Sequence, residues 1–429
     1  MNHIVDLHIH SHYSRATSKN SDIEGLYYWG KIKGIHLQGT GDFTHPAWFA
    51  EMREKLEPDG NGLFKLKDEI SLEIDKKLPE TVRNNIMRFV LTVEISNIYS
   101  KAGKVRKLHN CIVVPDFETA SFINSKLERI GNLKADGRPI LGMDSKELLK
   151  ITLESHADSL FFPAHIWTPW FAMFGSKSGF DSIEEAFEEL APEIKAIETG
   201  LSSDPYMNWR LNELQSRTIL SNSDAHSPQK LGREANIICC DLNYKDIIDA
   251  IKTNDDRFIG TIEFFPQEGK YHYDGHRACN IRFTPKQTKE HHGICPVCHN
   301  HLTVGVDYRV AEIANHPQSY KPEKPKVVEY IIPLIEIVAE MLKSGTTSKK
   351  VLAEYERIYT ALGDEFSILR SLPIAEIRKK GFTELAHVIE RMRKGDVYIE
   401  PGYDGVYGTI KLFHDEGERA QLNDQIPLL

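Results

Sequence analysis

The 429-residue chain is 41% hydrophobic and 27% charged, the balance of a globular protein with a large core and room for more than one domain. No apolar run reaches bilayer length and the N-terminus lacks an export-signal pattern, so a cytoplasmic protein with no membrane partner is expected. The formal net charge of −9 argues mildly against nucleic acid, although basic clusters at Lys101, Lys104, Arg106 and Lys107 and at Arg277, Arg282, Lys286 and Lys289 interrupt that average.

Up to about residue 262, short apolar runs alternate with helical stretches. Runs at 4–9, 35–39, 89–95, 111–114, 159–164, 194–197 and 218–220 predict strands, and 145–153, 182–190 and 245–252 predict helices. The alternation predicts a parallel sheet, and this many units predict a closed β/α barrel. Residues 57–86 are charge-rich and read as a helical insertion with FKLKDEISLEIDKKL as its helix. Beyond 265 the composition shifts, and 271–311 is rich in His, Cys and Tyr. Apolar residues return at helical spacing over 327–343, 348–361 and 383–394, with Pro333 expected to kink the first. The predicted division is an α/β barrel over 1–265, a zinc module over 266–316, a helical C-terminal domain over 317–412 and a flexible tail over 413–429.

The first predicted strand carries His8 and His10. Residues two apart on a strand share a side, so both imidazoles can reach one ion. Ligand-type residues recur near later strands: Asp42 and His45 in GTGDFTHP, Glu94 in VEIS, His109 in KLHNCIVVP, His165 in PAHIW, Glu198 in IETG, and Asp224 and His226 in SNSDAHS. The C-terminal strand ends of a parallel β/α barrel face one side, so these residues are expected around one pocket. Imidazole with carboxylate suits zinc, manganese or iron. So many donors predict two or three ions, with Glu94 bridging a pair at roughly 3.5–4 Å. Metal-activated water then needs no serine or cysteine nucleophile, and His8, His10, Glu94 and Asp224 are the residues expected to be indispensable.

A second group lies further on. His276 and Cys279 form HxxC, and Cys295 and Cys298 form CxxC. That is structural-zinc spacing, with His291, His292, His299 and His301 as alternatives for the imidazole. The loop WTPWFAMF after His165 places Trp167, Trp170 and Phe171 where aromatic rings can stack on or wedge between bases. Lys104 and Arg106 are candidate DNA contacts beside them. The final residues resemble a sliding-clamp-binding peptide, with Gln425, Leu428 and Leu429 as its anchors.

The ordered set DLHIHS, GTGDFTH, VEIS, KLHN, PAHI and SNSDAH resembles the polymerase and histidinol phosphatase (PHP) superfamily over about the first 260 residues. That resemblance implies a distorted seven-stranded barrel, a trinuclear metal site and phosphoester hydrolysis. Common members carry adjacent aspartate and histidine after strand two. Here Phe43 and Thr44 separate Asp42 from His45, which leaves open which of the two meets metal. Together with GTGDFTHPAW, PAHIWTPWF, IETGLSSDP, YHYDGHRAC, CPVC and LTVGVDYRV, the chain resembles the endonuclease Q family over nearly its full length. The family resemblance implies a DNA repair endonuclease that nicks 5′ to deaminated bases (uracil, hypoxanthine, xanthine) or abasic sites in duplex DNA. Its lesion nucleotide is turned out of the duplex, at a cost of a few kcal/mol. Zinc, manganese or magnesium would serve at the active site beside a structural zinc. A PHP-type phosphatase for a small phosphomonoester accounts for the barrel but not for the zinc module or the helical region. A non-enzymatic DNA-binding scaffold does not fit the near-complete ligand set.

Overall fold

The computed structural model describes residues 2–413. The clamp-like residues Gln425, Leu428 and Leu429 lie outside the described residues. In chain order the strands are β1 (Asn2–Asp6), β2 (Leu37–Gly39), β3 (Leu56–Pro58), β4 (Phe64–Leu66), β5 (Arg88–Lys101), β6 (Lys104–Val114), β7 (Ile140–Leu141) and β8 (Leu160–Pro163). They continue with β9 (Ala196–Glu198), β10 (Thr218–Leu220), β11 (Ala235–Cys239), β12 (Phe258–Glu263), β13 (Asp274–His276), β14 (Ile281–Phe283) and β15 (Val327–Tyr330).

The fold is mixed α/β, but its ladders correct the expected closed parallel barrel. The main sheet is open, in the order β15-β12-β11-β1-β2-β5-β4-β3, with β6 and β7 on β5 and β8 on β6. The β1–β2 and β2–β5 pairs are parallel, whereas β5–β6, β6–β8, β1–β11 and β11–β12 are antiparallel. The reversal at β5–β6 is local. Ala102 (φ 52°) and Gly103 (φ 72°) are both left-handed, as a two-residue hairpin turn matching strand twist requires. Strands β9 and β10 pair only with each other. Single bonds span the seams on either side: Ile166 N–H donates to Glu198 O (3.1 Å) and His10 N–H to Ala225 O (3.0 Å). Side-chain amides replace the missing rungs. Asn236 Nδ2 donates to Val5 O (3.1 Å) and Ser221 O (2.8 Å), and Leu7 N–H donates to Asn222 Oδ1 (2.8 Å).

Two predicted helices are corrected. The segment FKL is strand β4, paired with β3 and β5 and burying Phe64 and Leu66; the helices of the insertion are Asp68–Asp75 and Glu80–Arg83. Residues Val327–Tyr330 form β15, parallel to β12, and Pro333 heads the helix Leu334–Met341 rather than kinking one. Val327, Val328 and Tyr330 favour an extended chain, and Pro333 cannot donate to a preceding turn. Helices Lys349–Leu362 and Thr383–Lys394 lie where the apolar spacing puts them.

One hydrophobic cluster runs from the sheet (Ile4, Phe89, Ile262) into the C-terminal helices (Val338, Ile358, Ile389). A buried ion pair reinforces that join. Lys33, on helix α1 (Ile23–Lys33), meets Glu365 at 2.7 Å. Glu365 also accepts from Tyr355 Oη (2.6 Å) and Leu334 N–H (3.0 Å). Among the described residues no helix is long and apolar enough to cross a membrane.

Candidate active site

The donors gather just beyond β1, along the middle of β5 and β6, and in the loops after β8 and β10. His8 Nε2 and His10 Nε2 lie 3.4 and 3.1 Å from Glu94 Oε2, and 3.7 and 3.1 Å from Asp224 Oδ1. On the other oxygen of Glu94, His109 Nδ1 lies at 2.6 Å and His165 Nε2 at 3.1 Å, and these two nitrogens are 3.2 Å apart. Two donor groups thus share one carboxylate: His8, His10, Glu94 and Asp224, and Glu94, His109 and His165. Three of their atoms, His8 Nε2, His10 Nε2 and Asp224 Oδ1, are buried without a hydrogen-bond partner. Each such atom costs about 1–3 kcal/mol, and a divalent cation between them satisfies all three. The residues present therefore fit divalent metal.

The groups behind the imidazoles set their orientation. His8 Nδ1 donates to Glu198 (3.0 Å), which also accepts from His165 N–H (2.9 Å) and Asn222 Nδ2 (2.9 Å). His10 Nδ1 donates to Asp42 (3.1 Å), which also accepts from Ser11 N–H (2.8 Å), Ser11 Oγ (2.6 Å) and Ser14 Oγ (2.8 Å). A hydrogen bond at Nδ1 fixes the tautomer that leaves Nε2 free for an ion. Burial opposes charge on Glu94, yet His109, Arg138 and His8 together hold its carboxyl well below the usual range. Burial pushes the His109 imidazole down to about 4, which keeps it neutral, as a ligand must be. Asp42 (φ 53°), His165 (φ 32°) and Asp224 (φ 45°) all sit in left-handed backbone. That conformation costs on the order of 1–3 kcal/mol at a non-glycine residue and concentrates at functional sites.

Several expected ligands stand elsewhere. Asp42 and Glu198 lie behind His10 and His8, outside both donor groups. His45 heads the helix Pro46–Lys55 with its ring stacked on Tyr13 (centroids 4.3 Å apart). His226 packs on the His10 ring at 4.5 Å, its Nδ1 turned to Asp224 O (2.9 Å). Among the described residues these donors form two groups that meet at Glu94. Ser11 and Asn222 sit inside the motifs DLHIHS and SNSDAHS and Ser14 lies three residues past the first, yet spacing alone assigns none of them a role. Arg138, whose Nη1 donates to Glu94 Oε2 (3.0 Å), and Arg233, which donates to Ser223 O (2.7 Å) and Asp224 O (3.2 Å), also join the site. No local spacing marks these two arginines.

Of the candidate DNA contacts, Trp170 is 46% exposed, Phe171 packs beside His109 (4.8 Å), and Lys104 is exposed at the tip of the β5–β6 hairpin. Trp167 and Arg106 face inward instead. Trp167 is buried against Phe174 and donates to Asn208 Oδ1 (2.8 Å). Arg106 is buried over the Phe180 ring and bonds Gly179 O. None of the donors lines the cavity of about 970 Å³ beside the loops that follow His165 and Asp224, which is walled in part by Trp170, Lys230, Arg233, Lys270, Tyr271 and Tyr407. Thr168 belongs to the same wall and reaches His165 Nδ1 at 3.3 Å.

Farther along, His276, Cys279, Cys295 and Cys298 converge, their donor atoms all within 4.8 Å of one another. Burial pushes the Cys295 thiol up, but the backbone N–H groups of Cys298 and Val297 outweigh it and bring it down to about 6. Three thiols with one imidazole are a donor set that suits zinc.

Comparison with known proteins extends these observations. Residues 333–396 match the family described as the MJ0043 C-terminal domain. MJ0043 of Methanocaldococcus jannaschii is 34% identical over 252 residues, which is 57% of this chain but 31% of that protein. The chain therefore spans under a third of the length of that relative. The crystal structure of the lesion-specific endonuclease PfuEndoQ from Pyrococcus furiosus superposes with a TM-score of 0.82 at 29% identity, covering 100% of both chains. Endonuclease Q in complex with a 27-mer duplex bearing an abasic lesion at the active site gives 0.82 at 30% identity, covering 99% of this chain and 100% of that one. The chain belongs to the endonuclease Q family and is an enzyme of the nuclease class.

Proposed function

We propose that this enzyme nicks duplex DNA at the phosphodiester 5′ to a deaminated base (uracil, hypoxanthine or xanthine) or an abasic site. One observation carries the reading: two donor groups share Glu94, and Thr168 and Arg233, which contact His165 and Asp224, also wall a cavity of about 970 Å³ with basic and aromatic side chains. Zinc, manganese or magnesium, if held by these donors, would supply the activation of water and the stabilisation of phosphate charge. The chain's own part is positional. Asp42 and Glu198 lock the imidazoles of His10 and His8, and Arg233 holds the backbone that carries Asp224. The cavity has room for a nucleotide turned out of the stack, and Trp170, Tyr271 and Tyr407 offer it aromatic faces. His276, Cys279, Cys295 and Cys298 would hold a structural zinc that stiffens the neighbouring wall.

The test is a nicking assay on end-labelled duplexes carrying uracil, hypoxanthine, xanthine, an abasic site or only normal bases, each in magnesium, manganese or zinc. Cleavage confined to lesion duplexes, with the break mapped 5′ to the lesion, is expected. Faster hydrolysis of a small phosphomonoester than of any lesion duplex would overturn the reading.

A further inference from the structure

We propose that Arg138 touches the substrate, its guanidinium binding a non-bridging oxygen of the scissile phosphate. This inference rests on the nuclease reading above.

Position comes first. The Arg138 side chain is 28% exposed while Glu94, its partner, is wholly buried. The side chain therefore reaches the carboxylate that both donor groups share from its solvent-facing side. Only Nη1 is used by Glu94. Among the described residues no protein acceptor takes the hydrogens of Nε or Nη2. A planar fork with free donors matches phosphate geometry.

Charge points the same way. Two divalent ions in the donor groups would be balanced by Glu94 and Asp224 within them and by Asp42 and Glu198 behind them. The guanidinium of Arg138 would then add positive charge that a phosphodiester, with its single negative charge, can meet. Orienting Glu94 alone does not require an arginine, since His8, His10, His109 and His165 already surround that carboxylate.

The loop is built to hold the guanidinium there. Gly137 N–H donates to Tyr13 O (3.0 Å), and Pro139 O accepts from Ser96 N–H (3.0 Å). Asp136 accepts from the Arg138 N–H (3.1 Å) and pairs with Arg15 (3.2 Å). A Cβ at Gly137 would lie 2.2 Å from Asp42 Oδ2 and 2.4 Å from Ser14 Oγ. Only glycine lets the backbone press against the group that orients His10, and that approach delivers the next side chain to the site.

The test compares wild type, R138A and R138K, all metal-loaded, by stopped-flow anisotropy, which reads binding of a lesion duplex before it is nicked. R138A should bind about tenfold or more weakly, as expected for a lost hydrogen bond between charged groups. Its plot of log affinity against log salt should flatten by about 0.9, one phosphate contact. R138K should restore most of that slope. A neutral methylphosphonate at the scissile position should weaken wild type by clearly more than it weakens R138A, the difference being the lost arginine contact. The inference is overturned if R138A keeps the wild-type salt slope, or if the methylphosphonate penalty is equal in both proteins. Should R138A fail to fold, R138Q against R138K on the two duplexes gives the same comparison. Wild type that leaves every lesion duplex uncut sinks the nuclease reading itself, a different result from an unaltered R138A.

Discussion

Glu234 and Glu263 are fully buried carboxyl groups that form no ion pair among the described residues, and Oε2 of Glu234 and Oε1 of Glu263 lack hydrogen-bond partners. Burial pushes both well above the usual carboxylate range, with the charge of Glu263 adding for Glu234 and that of Asp204 for Glu263. The folded protein therefore keeps protons that the unfolded chain releases near pH 4.5. Their contribution to stability is complete below that pH and declines as pH rises toward the folded values, by about 1.4 kcal/mol per group for each unit. Glu263→Gln keeps the shape without needing the proton. Melting curves from pH 4 to 8 should show it more stable than wild type at pH 8, the advantage vanishing at the acid end; a pH-independent difference would refute this account. Residue type and nearness to short apolar runs made His8, His10, Glu94, His109, His165 and Asp224 legible as a set, because both signals are local. Whether a carboxylate faces an ion or the far nitrogen of an imidazole is not local, so Asp42 and Glu198 read as ligands although they stand behind the histidines. Arg138 and Arg233 reach the site from loops whose composition carries no trace of it.

Among elements, apolar runs located the strands near the site well, since a short buried run has little alternative. Pairing direction was the less legible part. It depends on turns such as Ala102–Gly103 and on which late segment finds an open edge. Strand β15 shows how narrowly that edge is defined. Gly260 of β12 is paired with Val327, and a Cβ at Gly260 would sit 1.9 Å from Val327 O. Backbone occupies the space a side chain needs, so no rotamer change relieves the clash. Gly260→Ala should displace β15 at a cost of about 1–3 kcal/mol and raise amide exchange selectively over Val327–Tyr330. Unchanged denaturant stability together with unchanged protection of that strand would show that the edge has slack the distance denies.

Across the whole molecule, the donor groups and the cavity wall depend on different parts of the chain. The candidate donors come from strands and loops before residue 230. The opposite wall carries Lys270, Tyr271 and Tyr407, braced by the cysteine cluster and the hairpin Tyr398–Glu400/Thr409–Lys411. Those two units are tied directly: Arg277 N–H donates to Asp404 (2.6 Å), Tyr403 Oη to Asn280 (2.8 Å), and Tyr273 N–H to Gly402 O (2.9 Å). Loosening the cysteine cluster should therefore impair recognition and spare hydrolysis. Cys298→Ser, purified with its remaining metals, should lose about one zinc per chain and bind lesion duplex roughly tenfold more weakly, a change of about 1.4 kcal/mol. Its rate on bis(4-nitrophenyl) phosphate, a substrate too small to reach the far wall, should stay near that of wild type. Elemental analysis, anisotropy and the chromogenic rate on one preparation decide the matter. A fall in the small-substrate rate matching the fall in DNA affinity would mean that the wall and the metal ligands form one cooperative unit, with chemistry and recognition inseparable.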